Sequence, residues 1–236
     1  MPPIPNATVS RLVTYLRVLD QLQKEGATET SSRLLAERAG VSPYQVRKDL
    51  TRFGSFGRRG SGYDVNNLEG QLRGILGLSR PWDTVIGGLG RLGQALVDYP
   101  NFGQYQFTLK ALVDIDPAKV GTRIGDLSVH HPRDLRRLQR ELTLDIGLIT
   151  VPVAAAQQAA DQLVAAGIPG ILNFAPTVIT VPEGVHVEQV DFLGGLKKLA
   201  FHIQSPRSGE PDSRVARAPS PGADTSIADY SPAKDN

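Results

Sequence analysis

The segment Thr84-Val-Ile-Gly-Gly-Leu-Gly-Arg-Leu-Gly93 constrains the fold of this chain more than any other stretch. Glycines 88, 90 and 93 have the G-x-G-x-x-G spacing, which carries meaning only between a strand and a helix. Both are present. Thr84-Val85-Ile86 is a short buried-strand run, and apolar residues at 92, 95, 96 and 99 give the next segment a helical face. In such a turn Gly88 allows the tight reversal, Gly90 lets the backbone approach a pyrophosphate, and Gly93 lets helix and strand pack closely. The helix N-terminus then offers free N–H groups and partial positive charge to the phosphates. Gly88, Leu89, Gly90, Arg91, Leu92 and Gly93 are therefore candidate cofactor contacts. The next strand, predicted over 107–113, ends in Asp114-Ile-Asp-Pro117. An acid about 20 residues beyond the last glycine is where the adenosine ribose hydroxyls are held. Asp114 fits that role, whereas Asp116 precedes a proline and is expected to cap a short helix at 117–120. No arginine directly follows Asp114 to receive a 2′-phosphate, which favours NAD(H) over NADP(H).

Beyond Asp116, strand and helix patterns alternate. Residues 132–141 read as a charged helix, 144–150 as a buried strand, 153–166 as an alanine-rich helix stopped by Gly167, and 170–173 as another strand. This predicts an α/β fold with a Rossmann-like, doubly wound parallel sheet and ligands outside the carboxyl ends of its strands. Thr150 and Pro152, and the loop Asn173-Phe-Ala-Pro176, should then line the cofactor pocket. The sheet ends by about residue 190, and one helix with a broad apolar face follows, from Leu193 to Ile203.

The 80 residues before the first Rossmann strand have another character. They hold twelve basic and seven acidic residues, whereas the remainder holds fourteen and seventeen; within 42–62 the ratio is five to one. Such local concentration is the electrostatic footprint of a nucleic-acid partner. A helix is predicted over 8–24, with one apolar face at 9, 12, 13, 16, 19 and 22. A second covers 31–39, and a third runs from 43 to about 53, started by Ser42 and Gln45 as a capping box with Pro43 at its first position. The short turn between the last two gives helix-turn-helix geometry. Val46 and Leu50 should face inward, leaving Tyr44, Gln45, Arg47, Lys48, Thr51 and Arg52 to a DNA groove. Gly54 to Val65 reads as a β-hairpin wing with Arg58 and Arg59 at its tip, suited to a narrow minor groove. A helix from Asn67 to Leu76 completes a winged helix. The expected organisation is a winged-helix DNA-binding domain (1–80), a nucleotide-binding domain (81–190), a C-terminal helix (191–204) and a disordered tail (205–236) rich in Ser, Pro and Ala.

Composition excludes several classes. With no cysteine there is no disulfide, thiol redox centre or thiolate metal site, and the four histidines lack metal-type spacing. No apolar run is long enough to span a bilayer, and Met1-Pro-Pro-Ile-Pro-Asn6 has no signal-peptide character, so the expected compartment is the cytoplasm. A dehydrogenase needs an acid/base near the nicotinamide and a domain enclosing substrate. Neither is evident: His130 and His131 fall in a predicted connection, and catalysis is not expected.

Gln45-Val-Arg-Lys-Asp-Leu-Thr-Arg-Phe-Gly-Ser-Phe-Gly57 and Gly60-Ser-Gly-Tyr63 resemble the DNA-binding signature of the Rex repressors, bacterial sensors of the NADH/NAD⁺ ratio. The resemblance continues through Val85–Gly93, Val113–Asp116, Asn173–Pro176 and Val190-Asp-Phe192, and covers residues 8 to about 203. It implies a homodimer on double-stranded, inverted-repeat operator DNA, released by NADH, with the C-terminal helix exchanged between subunits. It also implies a polar relay of Arg17, Tyr99 and the other subunit's Asp191, and a hinge role for Phe192. Tyr99 and Phe192 thereby join the candidate cofactor residues. Burying the positive nicotinamide ring of NAD⁺ beside Phe192 without a partner is costly, and the neutral reduced ring lacks that cost. A small NAD-dependent enzyme fused to a DNA-binding module, and a regulator responding to another ligand such as CoA, are the alternatives.

Overall fold

A computed structural model describes residues 4–57, 62–99 and 102–204. The expected wing tip, with Arg58 and Arg59, and the expected tail from 205 onward lie outside these residues. The chain divides into two compact units, 1–190 and 191–236.

The described residues among the first 80 form four helices, α1 (Asn6–Lys24), α2 (Ser32–Ala39), α3 (Pro43–Thr51) and α4 (Val65–Ile75). Two short strands, β1 (Glu29–Thr30) and β2 (Tyr63–Asp64), pair antiparallel between them. Ser31 and Ser42 start α2 and α3 by accepting the N–H groups of Leu34 and Gln45, each at 3.1 Å. Leu12, Leu19, Leu35, Val46, Leu68 and Leu72 close the core of this domain. Three expectations need correction. The return half of the capping box does not form, because the Gln45 amide turns to Asp49 instead. The strand leaving the wing pairs with β1, two residues that carry too little pattern to be read as a strand, while residues 54–57 are not a strand. On α1, Val9 and Val13 are 38% and 45% exposed and lie outside the core that the rest of the apolar face builds.

α3 is tied to α1 through one buried carboxylate. Asp49, 1% exposed, accepts from Arg11 Nε at 2.6 Å, Arg11 Nη2 at 2.8 Å, Tyr15 Oη at 3.0 Å and Gln45 Nε2 at 2.8 Å. Burial pushes this carboxyl up, but the Arg11, Gln45 and Tyr15 donors outweigh it and hold the group below the usual aspartate range. A carboxyl lowered by folding stabilises the fold above its unfolded value of about 4, and the contribution fades as pH falls through the folded value. Asp49→Ala strands the Tyr15 hydroxyl and the Arg11 guanidinium, and is expected to cost about 3 kcal/mol in urea unfolding at pH 7. The gap between wild type and variant should narrow below about pH 4; a constant gap would show that the charge contributes nothing.

The linker to the second domain is pinned at both ends. Trp82 Nε1 donates to the Gly77 carbonyl at 2.9 Å, and the Arg80 guanidinium lies 3.7 Å over the Trp82 ring. Arg80 also forms a two-point pair with Asp145 (3.1 and 2.9 Å), whose carboxylate accepts the Asp83 N–H as well.

The described residues of 82–190 form a seven-stranded sheet. Its strands are β3 (Trp82–Gly87), β4 (Phe107–Val113), β5 (Arg123–Ile124), β6 (Leu127–His130), β7 (Ile146–Ile149), β8 (Gly170–Asn173) and β9 (His186–Gln189). The order is β5-β6-β4-β3-β7-β8-β9, parallel except for β5. Reversal of order beside β3 is the switch point of a doubly wound fold, as the alternating pattern predicts. Helices α6 (Leu135–Leu142) and α7 (Val153–Ala166) pack on one face, through Leu135, Leu138, Ala156, Ala160 and Leu163. On the other face α5 (Arg91–Val97) packs over the centre of the sheet. Here too the sequence reading needs correction: 117–120 is a turn rather than a helix, although Asp116 does accept the Ala118 N–H at 2.9 Å. His130 ends β6 opposite Val113, rather than lying in a loop. In the second unit, α8 (Phe192–Gln204) has no buried residue.

Candidate nucleotide cleft and nucleic-acid interface

The glycine turn opens into a cleft of about 280 Å³ at the carboxyl ends of β3, β4 and β7. Gly88 has φ +97°, a left-handed conformation, and a Cβ there would collide with Val151. A Cβ on Gly93 would overlap the Gly88 carbonyl oxygen and come within 3.0 Å of Thr150 Oγ1. The close approach that the sequence spacing calls for is thus built. The Thr150 hydroxyl, 2.6 Å from the Gly88 carbonyl, ties the turn to the end of β7.

Asp114 lies at the head of the cleft. One carboxylate oxygen accepts the Leu89 N–H at 2.6 Å and the other the Asp116 N–H at 2.8 Å; Lys119 Nζ approaches at 3.2 Å. Burial raises its pKa, but these donors outweigh that and leave it below the ordinary range. Asp114 is therefore charged at neutral pH, pre-oriented by the turn it serves, and able to accept a ribose hydroxyl. Gly88, Gly90, Thr150 and Pro152 line the same cleft. The others occupy different places. Leu89 is buried in the sheet core, Arg91 and Leu92 are not among the cleft-lining residues, and Gly93 packs beneath the turn. Sequence reading missed Lys119, which pairs with Asp114 and, at 3.6 Å, with Asp116. Its only signal is the i, i+3 spacing from Asp116.

Across the sheet, a groove of about 880 Å³ runs over β7, β8 and β9. Ile146, Leu148, Leu172 and Phe174 form its floor, and Val9, Val13 and Arg17 of α1 line its wall. Tyr99, which packs edge-on against Phe102, lines it too. Arg17 and Tyr99 are thus brought to one groove. In the second unit, the Asp191 carboxylate accepts the Gly194 N–H at 2.7 Å, and Phe192, Leu196, Leu199 and Ile203 are 56–83% exposed.

Tyr44, Arg47, Lys48, Thr51 and Arg52 gather around one open surface on α3. Arg47 also donates to Ser32 Oγ at 3.0 Å. Because the one acid of this helix, Asp49, is turned inward onto Arg11, the outward face is cationic. Among the described residues, no three His, Cys, Asp or Glu side chains are grouped to hold a metal, and no helix is long and apolar enough to cross a membrane.

A cationic helix-turn-helix joined by a pinned linker to a glycine-turn Rossmann sheet defines a winged-helix regulator with a nucleotide-binding domain. Family models agree in both halves: "Putative DNA-binding protein N-terminus" matches residues 3–51 and "CoA binding domain" matches 79–177. The chain belongs to the Rex family of redox-sensing transcriptional repressors. It is 52% identical over 204 residues to the redox-sensing transcriptional repressor Rex of Thermus thermophilus, covering 86% of this chain and 96% of that one. The Rex of Deinococcus radiodurans is 46% identical over 224 residues, covering 87% and 96%. Among solved structures, the Rex-family repressor RSP in complex with NAD⁺ and operator DNA matches with TM-score 0.80 and 37% identity, over 86% of this chain and 94% of that one. Its complex with NADH matches with TM-score 0.78 and 36% identity, over 86% and 95%. The named relatives are repressors, not enzymes.

Proposed function

We propose that this protein binds NADH and NAD⁺ in the cleft beneath the glycine turn, and binds inverted-repeat operator DNA through α3 and the wing as a homodimer in the cytoplasm. NADH releases it. The observation that carries this reading is the layout of one unit: the nucleotide cleft and the groove walled by α1 meet on β7, which gives a change at the cofactor a short route to the DNA-binding domain. A ligand shifts an equilibrium only by its differential affinity for the two states. The bare groove and the exposed face of α8 supply the second state's contacts. Helix α8 is about 20 Å long, and seating it in the groove of a second copy buries its apolar residues at about 1.5–3 kcal/mol each. In that arrangement the partner's Asp191 and Phe192 come beside Arg17 and Tyr99, and Phe192 is the hinge that reads the nicotinamide.

An operator-binding titration with NADH, NAD⁺, NADPH and CoA in parallel tests the reading. NADH alone should release DNA at low concentration. Release by CoA instead would favour the ligand class that the nucleotide-domain family model names, and release by NADPH would remove Asp114 as the selector of the ribose.

A further inference from the structure

The carboxylate that joins α3 to α1 has a consequence on the DNA side. Gln45 is the third residue of α3, in the first turn of the helix, where a helix lying in the major groove contacts base edges. A glutamine amide normally rotates to present either its donor or its acceptor end. Here it cannot. A carboxylate only accepts hydrogen bonds, so the group facing Asp49 Oδ1 at 2.8 Å must be the amide nitrogen. Three further donors, from Arg11 and Tyr15, hold Asp49 itself in place. Turning the amide over would set Gln45 Oε1 against the carboxylate. Gln45 is therefore left with one fixed acceptor, Oε1, and one remaining N–H. That pair matches the N6–H donor and N7 acceptor of an adenine in the major groove. Neighbouring Arg47, Lys48 and Arg52 carry the charge that phosphates attract, whereas a neutral amide with fixed polarity suits a base edge.

We propose that Gln45 reads an adenine in each half-site and that Asp49 is the positioning residue fixing the polarity of that reading. The inference rests on the DNA-binding function proposed above. It is tested by selecting DNA from a randomised duplex pool with the full chain, comparing wild type with Q45A, Q45E and D49N. Wild type should enrich a motif holding an adenine at one position of each half-site. Q45A should lose about tenfold or more of the discrimination at that position alone. Q45E, which only accepts, should change the preference there from adenine to cytosine. D49N gives Gln45 a neighbour that both donates and accepts, and should blur the same position while the rest of the motif persists. A merely structural role would lower affinity across the whole motif without changing one position. D49N and Q45E both disturb the Asp49 network, so their folding is checked by thermal melting, and Q45A tests the reading independently of them. A wild-type motif that Q45A weakens uniformly, or leaves unchanged, overturns the proposal. Failure of the wild type to enrich any sequence overturns the DNA-binding reading instead.

Discussion

Replacing Leu196 and Leu199 together by aspartate in the full chain is expected to give a monomer that binds operator DNA about a hundredfold more weakly. Both side chains are more than half exposed on α8, in register with Phe192 and Ile203 along one helical face. In the first unit, Leu148 and Phe174 floor an open, largely apolar groove. Single exposed leucines are ordinary, but a contiguous apolar stripe marks an interaction site. Aspartates on the stripe place unpaired charge in an apolar groove, which costs more than the lost burial alone. A regulator that grips two half-sites loses the avidity of linked binding, a factor of about 10² to 10⁴, when its subunits part. Light scattering on the eluting protein and fluorescence anisotropy with labelled operator give the two readouts. A variant that stays dimeric, or a monomer with full affinity, would refute the exchange of α8.

Gly93→Ala is expected to reduce NADH affinity at least about tenfold and leave operator binding intact, producing a repressor deaf to NADH. A methyl group at this position overlaps the Gly88 carbonyl oxygen, which itself holds the Thr150 hydroxyl. The turn must open, and the N–H groups that would meet the pyrophosphate lose their aim. The proposed DNA-reading face is built on α3, which packs on α2 and is tied to α1 through Asp49, so it is untouched by this change. NADH fluorescence titration and operator anisotropy with and without NADH separate the two functions. Normal NADH affinity in the variant would remove the glycine turn from the phosphate site.

The elements with strong local chemistry are legible in the sequence itself. Ser42-Pro43 starts α3 where expected, Gly167 stops α7, and Gly88, Gly90, Asp114, Thr150 and Pro152 meet around one cleft, with Gly93 packed beneath the turn. Less was legible where a residue's role depends on a distant partner. Gln45 has the spacing of a capping box, yet the Asp49 carboxylate outcompetes the Ser42 N–H for its amide. Val9 and Val13 belong to an apolar face by periodicity, but the surface they line is created by the edge of a sheet more than 130 residues away in sequence. Lys119 shows itself only when the turn after Asp116 folds back on Asp114. β1 escapes because two residues hold no period at all.

The linker carries a last consequence. Arg80, Trp82, Asp145 and the Gly77 carbonyl hold the linker that leaves the winged helix against the sheet. In any pair of such chains, the separation and angle of the two DNA-reading helices are then inherited from the way the nucleotide domains meet. The spacer between the half-sites of an operator is in effect a ruler laid against that junction, and lengthening the linker by a flexible residue or two should relax the spacing an operator must have.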